Sequence, residues 1–336
     1  MFLDRHYGID LGGGAVKVYS LSRNRIVTAR NMVAYRGHTI IAVGNEAYEM
    51  SGKTPADVSV ISPMAFGVID NLELQEILLY RLIGRLENLA LPADYYFAIP
   101  PDLSAMDRRA FYQVVNGNWL RRGRVFLVEA PVADALSLGL DIENTVGSMI
   151  VNIGEQTARL SIFSRGRMIM NRMEPIGGGQ INAAIAHEIR RRYSLQVGTR
   201  TANRLKLALG RLSDPKKDGR RVVGLDSVSG LPREETITSY AVNAGIMNCM
   251  NSLAAQIKTF LERIPPQISY EIAKEGIHLA GGSARIPYLD KYLASYTGYT
   301  FNLSESYENI TVEGLKKILH ENELKKWAQT VRPRKI

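Results

Sequence analysis

Two glycine-rich turns, far apart in the chain, have the residue types of a phosphate-binding site. The first is Asp10-Leu11-Gly12-Gly13-Gly14-Ala15 and the second is Asn152-Ile153-Gly154-Glu155-Gln156-Thr157. Glycine has no Cβ, so the backbone N–H groups of such turns can approach an anion closely. A carboxylate at the end of the preceding strand, such as Asp10, could also hold a metal-bound water. The ordinary alternative is a pair of tight hairpins in which glycine only supplies a positive φ.

A third glycine-containing segment, Gly281-Gly282, also favours the interpretation as a phosphate-binding site. Gly281-Gly282 follows the short predicted strand Ile277–Ala280 and precedes a predicted helix. The N-terminus of a helix favours an anion because its first N–H groups have no partner within the helix. The chain contains neither a Gly-x-x-x-x-Gly-Lys-Ser/Thr motif nor a Gly-x-Gly-x-x-Gly motif that opens a helix. An ordinary P-loop or dinucleotide-binding fold is therefore disfavoured.

The first two turns belong to an internal repeat. Asp10 and Ser22 are separated by the same twelve residues as Asn152 and Ser164. Each copy predicts a strand, a glycine turn, a second strand and a polar two-residue turn that opens a third strand. The polar turns are Asn24-Arg25 and Arg165-Gly166. Two such hairpins in one chain predict two related halves.

Helices and strands alternate between and after these hairpins. Residues 72–89, 104–116 and 245–261 have the apolar spacing of helices, with Ser104 as a predicted N-cap. Proline follows both the strand that ends at Ile99 and the last of these helices. The alternation predicts an α/β protein whose sheets are covered on both faces.

Composition excludes several classes of protein. The 336 residues are 46% hydrophobic and 22% charged, which excludes a disordered or fibrous chain. The formal net charge of +9 permits anionic partners without choosing among them. Cys249 is the one cysteine, so an internal disulfide is excluded and a reducing, cytoplasmic compartment is expected. No run of about 18 apolar residues predicts a membrane-spanning helix.

Longer stretches resemble the MreB family of bacterial actins, within the superfamily of actin, sugar-kinase and heat-shock-chaperone ATPases. The resemblance covers nearly the whole chain and is more specific than any single glycine motif. It is carried by Val43-Gly-Asn-Glu-Ala47, Ser51-Gly-Lys-Thr-Pro55, Pro63-Met64, Gly67-Val-Ile-Asp70, Gly177-Gly178, Ile189-Arg-Arg-Arg-Tyr193, Ser229-Gly-Leu-Pro232 and Leu261-Glu-Arg-Ile-Pro-Pro266.

The resemblance implies an α/β, actin-like ATPase fold. Two duplicated ribonuclease-H-like halves would each carry an inserted smaller subdomain, with the nucleotide in the cleft between the halves. The expected subdomains are IA (1–31, 66–145 and 313–336), IB (32–65), IIA (146–180 and 247–312) and IIB (181–246).

The same resemblance implies a function. The protein would form filaments at the inner face of the cell membrane that direct cell-wall synthesis and rod shape. Its expected partners are further copies of itself, a second MreB-like protein, the cell-wall elongation machinery and the cytoplasmic membrane surface, with no direct nucleic-acid contact. An apolar loop at 88–92 would contact the bilayer through Leu89 and Leu91.

The expected ligands are ATP and Mg²⁺, with the magnesium held by Asp10 through a water. The nucleotide would be bound by residues of all three turns and of one helix. These are Asp10, Gly12, Gly13, Gly14, Ala15, Gly154, Glu155, Gln156, Asn203, Arg204, Lys206, Gly281, Gly282, Ser283 and Ala284.

Several positions depart from the family pattern. The family's water-orienting glutamate before proline is Ala130 here, and the carboxylate of its second turn is Asn152. The first turn lacks the family's hydroxyl, and Glu155 places a negative charge near the expected phosphates. The acidic residues expected near the ribose are replaced at Asn203 and Arg204. No catalytic residue can be assigned, and the sequence predicts at most a slow ATPase.

Other functions remain open on sequence grounds. A divergent MreB could tolerate these replacements and stay active. A non-hydrolysing paralogue could copolymerise with an active MreB or regulate it. A DNA-segregation actin would need a DNA-bound adaptor, a sugar kinase would need a catalytic aspartate on a substrate hydroxyl, and a chaperone would need a substrate-binding domain.

Overall fold

The chain divides into two compact units. A computed structural model describes residues 5–86, 92–117, 123–213 and 218–331. Unit 1 comprises Met1–Asp141 with Asn309–Ile336, and unit 2 comprises Ile142–Glu308. In the part of the chain that is described, no helix combines the length and the apolar character that crossing a bilayer requires. The predicted membrane residues Leu89 and Leu91 lie outside the described residues.

The described ranges contain nineteen strands and ten α-helices. The strands are β1 (His6–Leu11), β2 (Ala15–Ser20), β3 (Arg25–Arg30), β4 (Val33–Arg36), β5 (Thr39–Val43), β6 (Ser59–Ile61), β7 (Met64–Ala65), β8 (Val68–Ile69), β9 (Asp94–Ile99), β10 (Val125–Glu129), β11 (Ser148–Ile153), β12 (Ala158–Ser164), β13 (Arg167–Glu174), β14 (Leu195–Gln196), β15 (Gly219–Asp226), β16 (Pro232–Thr238), β17 (Ile277–Ala280), β18 (Phe301–Leu303) and β19 (Ala328–Val331). The helices are α1 (Asn45–Met50), α2 (Leu72–Gly84), α3 (Ala105–Asn116), α4 (Ala130–Ser137), α5 (Gly178–Tyr193), α6 (Thr199–Leu209), α7 (Ser239–Leu261), α8 (Pro266–Glu275), α9 (Leu289–Thr297) and α10 (Ile310–His320).

Unit 1 is built on a six-stranded sheet in the order β19-β10-β9-β1-β2-β3. The hairpin strands β1, β2 and β3 are antiparallel, whereas β1, β9 and β10 run parallel. All six residues of β9 are buried, as in a parallel strand that is covered on both faces. Helices α4 and α10 pack closely, because Gly314 of α10 lies directly against the backbone of Ala133.

Unit 2 repeats this arrangement. Its sheet has the order β13-β12-β11-β17-β18. The hairpin strands β11, β12 and β13 are antiparallel neighbours, whereas β11, β17 and β18 run parallel. The order matches β3-β2-β1-β9-β10 of unit 1 strand for strand. The predicted duplication of an α/β half is therefore confirmed.

The polar turn of the first hairpin differs from the prediction. In unit 2, Ser164 pairs with Arg167, so Arg165-Gly166 form a two-residue turn with positive φ at both positions, as expected for a twisted hairpin. In unit 1, Ser20 pairs with Arg25, so the turn comprises the four residues 21–24 and the predicted Asn24-Arg25 turn is wrong. The longer turn is closed by a hydrogen bond from Asn24 N to Leu21 O.

Besides the two main sheets and the two-stranded sheet β7-β8, the described residues form two three-stranded sheets. In unit 1, β5-β4-β6 pack with α1 around a small core of Ala34, Ala42 and Ala47. In unit 2, the sheet β14-β15-β16 takes β14 from between α5 and α6, and β15 and β16 from the segment after α6. These are the regions of the expected insertions, but the proposed subdomain bounds remain a prediction.

Helix boundaries follow local chemistry where a cap exists. Ser104 caps α3 as predicted, since its Oγ accepts a hydrogen bond from Asp107 N at 3.1 Å. Helix α7 begins at Ser239, earlier than the predicted residue 245. Helix α2 ends at Gly84, earlier than residue 89.

Candidate functional site

The first glycine turn is anchored through its carbonyl groups. Asn31 Nδ2 donates to Gly12 O at 3.0 Å, Ser62 Oγ donates to Gly13 O at 3.2 Å, and Asn31 N donates to Gly14 O at 3.2 Å. In a trans peptide the C=O and the following N–H point in opposite directions. Anchoring the carbonyls of Gly12 and Gly13 in the protein therefore turns the amides of Gly13 and Gly14 away from these anchors.

The glycines of this turn are not there for a positive φ. None of Gly12, Gly13 and Gly14 has a positive φ, and the same is true of Gly154. The hairpin closes instead with Gly12 N donating to Ala15 O at 3.0 Å. A positive φ is thus not what these glycines supply; at Gly12 a Cβ would lie 2.9 Å from Ala15 O, so the missing side chain lets the turn close.

Asp10 forms an ion pair across the first hairpin. It lies opposite Lys17 in the β1–β2 register, and Lys17 Nζ is 3.0 Å from Asp10 Oδ2. Lys17 is 8% exposed. Sequence reasoning missed this lysine, although the alternation of hairpin strands around a short turn would have placed it on the same face as Asp10.

The second turn is anchored against the N-terminus of α5. Gly178 N donates to Gly154 O at 2.9 Å and Gly179 N donates to Glu155 O at 2.7 Å. A methyl group on Gly178 would lie 2.5 Å from Oε2 of Glu155, so this carboxylate sits over the start of the helix. A negative charge there is favourable because of the helix dipole.

The third turn and Lys206 lie against the same residues. Lys206 Nζ donates to Gly178 O at 3.2 Å, and Ser283 Oγ donates to Gly154 O at 3.4 Å. Gly281 has φ 91°, and a methyl group on it would lie 2.6 Å from Oδ1 of Asn152. The structure of unit 2 therefore brings together residues of β11, the second turn, α5, α6 and the third turn.

Other predicted residues of unit 2 lie in more varied settings. Ala284 is part of the hydrophobic core. On α6, Asn203 is half-buried and Arg204 is exposed, close before Lys206. Gln156 is half-buried in the second turn.

The helix predicted directly after Gly281-Gly282 is wrong. Gly282–Arg285 form one turn of 3₁₀ helix, and α9 begins only at Leu289. Pro287 and the left-handed conformation of Tyr288 (φ 64°) separate the two, because neither continues a helix from the preceding turn. The amides of Gly282 and its neighbours thus belong to a short turn without the dipole of a full helix.

The position of the family's water-orienting glutamate carries no polar group. Ala130 is the first residue of α4 and is 5% exposed. Glu129 ends β10 and is half-buried. Burial raises the pKa of Glu129, an effect that Arg108 opposes and Asp102 reinforces.

Neither the first turn nor the second, taken by itself, offers the ligands that a magnesium ion needs. Protein-bound Mg²⁺ is held through one or two carboxylates with its remaining waters. Asp10 is already paired with Lys17, and the matching position of the second turn is the neutral Asn152. Within the described ranges, no three His, Cys, Asp or Glu side chains cluster as metal ligands would. Magnesium binding through Asp10 remains a prediction that these contacts do not support.

Comparison with known proteins agrees with this architecture. The family model described as MreB/Mbl protein matches residues 4–327. Over 295 residues, 86% of this chain and 88% of the relative, the chain is 29% identical to the cell shape-determining protein Mbl of Bacillus subtilis (strain 168).

Solved structures support the same conclusion. MreB 5 of Spiroplasma citri bound to AMPPNP superimposes with a TM-score of 0.89 and 28% identity, covering 97% of this chain and 98% of that one. A double helical filament of MamK shares the fold, with a TM-score of 0.76 and 18% identity over 95% of this chain and 99% of that one. The chain has the actin-like ATPase fold and belongs to the MreB/Mbl family of cell shape-determining proteins.

Proposed function

We propose that this protein forms membrane-associated, actin-like filaments that direct cell-wall synthesis and rod shape, and that it binds ATP but hydrolyses it slowly if at all. The observation that carries the nucleotide part is the anchoring of all three glycine carbonyls in the first turn, by Asn31 and Ser62. A turn held in this way presents backbone amides without needing a side-chain hydroxyl. The related MreB 5 of Spiroplasma citri is bound to AMPPNP.

The impaired hydrolysis rests on two positions. Ala130 has no group that could orient an attacking water, and Asn152 lacks the negative charge of the family's carboxylate. Loss of a general base alone costs about 10²–10⁴-fold in rate. Binding depends on the backbone amides instead, so it should suffer less than turnover.

In this proposal the nucleotide acts by selecting a filament-competent conformation. A ligand shifts such an equilibrium only through its different affinities for the two conformations. This mechanism therefore needs nucleotide binding but not hydrolysis. Membership of a family whose relatives are cell shape-determining proteins supports the proposal of self-association and of a role at the wall.

Electron microscopy of the purified protein tests this function. The protein is applied to vesicles of acidic phospholipid and, as a control, to vesicles of neutral phospholipid, each with and without ATP. We expect filaments on the acidic vesicles that require ATP. The absence of filaments under all four conditions would contradict a self-assembling cytoskeletal role.

A second candidate function is favoured by the same replacements at Ala130 and Asn152. A paralogue with no hydrolysis of its own could copolymerise with an active MreB or regulate it. Pelleting the protein together with an active MreB from the same cell distinguishes the two. Assembly that occurs only in the mixture would favour the paralogue, whereas assembly alone would favour the first function.

A further inference from the structure

Lys17 is a buried cation with spare hydrogen-bonding capacity. An ammonium group has three N–H donors. One of them reaches Asp10 Oδ2 at 3.0 Å, and in the part of the chain that is described Lys17 has no second hydrogen-bond or ionic partner. Lysine is mostly exposed in proteins, so a lysine residue that is only 8% exposed and has a single ionic partner among the described residues is unusual.

The position of Lys17 relates it directly to the first turn. Asp10 pairs with Lys17 and Leu11 with Val16, and the next pair, Gly12 and Ala15, closes the glycine turn. Side chains directly opposite in an antiparallel pair lie on the same face of the sheet. Lys17 is therefore held at the base of the turn whose carbonyls are anchored by Asn31 and Ser62.

The second half of the molecule has a cation in the same register. Arg159 lies opposite Asn152 in the β11–β12 pair, as Lys17 lies opposite Asp10. Its Nε is buried and has no hydrogen-bond partner among the described residues. Each glycine turn of the repeat thus connects two paired strands, and the second of them carries one basic side chain near the turn.

We propose that Lys17 supplies at the first turn the positive charge that a magnesium ion would otherwise bring, so that this protein binds the phosphates of a nucleotide without a divalent cation. The inference rests on the proposed nucleotide binding. Lysine binds phosphate as a point charge with three rotatable donors, and two of these remain when Asp10 takes the third. Asp10 then orients the lysine rather than a hydrated metal ion.

The disagreement with the family's magnesium site follows from charge. A carboxylate paired with an ammonium group at 3.0 Å no longer presents a net negative charge to a metal ion, and the ammonium group repels that ion. Asn152 adds no charge at the second turn. In this proposal the ammonium group of Lys17, on strand β2, takes the place of a magnesium ion that would have to bind from solution.

Titration of the unmodified protein with ATP, in excess EDTA and in excess MgCl₂, tests the proposal directly. Isothermal titration calorimetry gives the dissociation constant in each buffer. We expect binding in EDTA, with magnesium tightening it by less than about threefold. Binding that is detectable only with magnesium, or at least about tenfold tighter with it, would overturn the inference and leave the proposed nucleotide binding intact. Binding in neither buffer would overturn both.

Two substitutions separate the role of the charge from a structural role. Lys17→Met should weaken binding in EDTA by about 10- to 100-fold, as expected for loss of a charge-assisted hydrogen bond. Asp10→Asn removes the carboxylate that orients the lysine, so binding should weaken by the same factor in EDTA and in MgCl₂. If Asp10 instead held magnesium, Asp10→Asn would lower the affinity in MgCl₂ selectively, and that result would contradict the inference.

A matched control removes a lysine elsewhere in unit 1. Lys53 is exposed, and Lys53→Met makes the same chemical change without touching the turn. Its affinity for ATP should equal that of the unmodified protein in both buffers. Equal losses from Lys17→Met and Lys53→Met would show a general charge effect and overturn the inference.

Discussion

Gly281 is held at φ 91° and ψ 164°, a conformation that is essentially restricted to glycine. A methyl group on Gly281 would also clash with Ile153 O and with Asn152 Oδ1. This one residue therefore couples the third turn to the end of β11, where the family carries a carboxylate and this chain carries Asn152. The neighbouring Gly282 has no positive φ, and a methyl group on it would only meet Glu308 Cβ at 3.8 Å.

We expect Gly281→Ala to lower the free energy of unfolding by about 2–4 kcal/mol, because it adds backbone strain and a clash with Ile153. Gly282→Ala is the matched control and should change it by less than about 0.5 kcal/mol. Urea denaturation monitored by circular dichroism measures both. Similar losses for the two variants would contradict the assignment of strain to Gly281.

Restoring the family's side chains should restore turnover. Ala130→Glu together with Asn152→Asp should raise the rate of phosphate release by at least about tenfold, with a smaller effect on ATP affinity, because both groups act mainly in the transition state. Ala255→Glu with Asn248→Asp makes the same changes at exposed positions of α7 and should have no effect. An unmodified protein as fast as an MreB with the full motif, measured side by side, would show that hydrolysis is not impaired.

At the scale of elements, the junction between β10 and α4 combines a half-buried carboxylate with the replaced catalytic position. Glu129 ends the strand without capping the helix through its side chain. Burial raises the pKa of Glu129 from its ordinary value of 4.5. The folded state therefore favours the protonated carboxyl group, and this contribution to stability is present below pH 4.5 and is lost as the pH rises through the folded pKa.

Glu129→Gln removes this titration, so we expect the variant to gain stability over the unmodified protein at pH 7. The gain should shrink as the pH falls to about 4. Thermal unfolding across this pH range measures it. Glu323→Gln, at an exposed position, is the control and should give no pH-dependent difference. A constant difference for Glu129→Gln at every pH would contradict the raised pKa.

Elements defined by local chemistry were predictable, and elements defined by tertiary contacts were not. The hairpins, the Ser104 cap and the two-residue turn at Arg165 follow from short-range patterns. The start of α9 depends on the left-handed Tyr288, although Pro287 directly before it is a local signal against a helix that continues from Gly282. In the candidate site the glycines were evident in the sequence, and the Lys17–Asp10 pair was missed although the alternation of the hairpin strands would have indicated it.

At the scale of the whole molecule, two units with the same strand order have diverged in the chemistry of their turns. Unit 1 retains three glycines with a lysine beneath them, whereas unit 2 places the Glu155 carboxylate on the start of its own helix. The fold was thus predictable from the repeat. The different placement of charged side chains at the two glycine turns could be seen only from the side-chain contacts within each unit.

The net charge of +9 gives the molecule an attraction for acidic surfaces as a whole. Such attraction is screened by salt, with a Debye length of about 10 Å at 0.1 M. An apolar contact is far less sensitive to salt. Co-sedimentation with acidic vesicles should therefore fall with rising salt but persist in part, because the loop at 88–92 would add two leucines.

The double substitution Leu89→Ser and Leu91→Ser should abolish the salt-resistant part of this binding. Burying two leucines is worth about 3–5 kcal/mol, which corresponds to about a 10²–10⁴-fold change in partitioning. Met106→Ser with Val228→Ser is the matched control, since these side chains are 81% and 91% exposed elsewhere on the protein, and it should bind vesicles as the unmodified protein does. If the leucine variant still co-sediments at high salt with an unchanged circular dichroism spectrum, the loop is not the membrane contact.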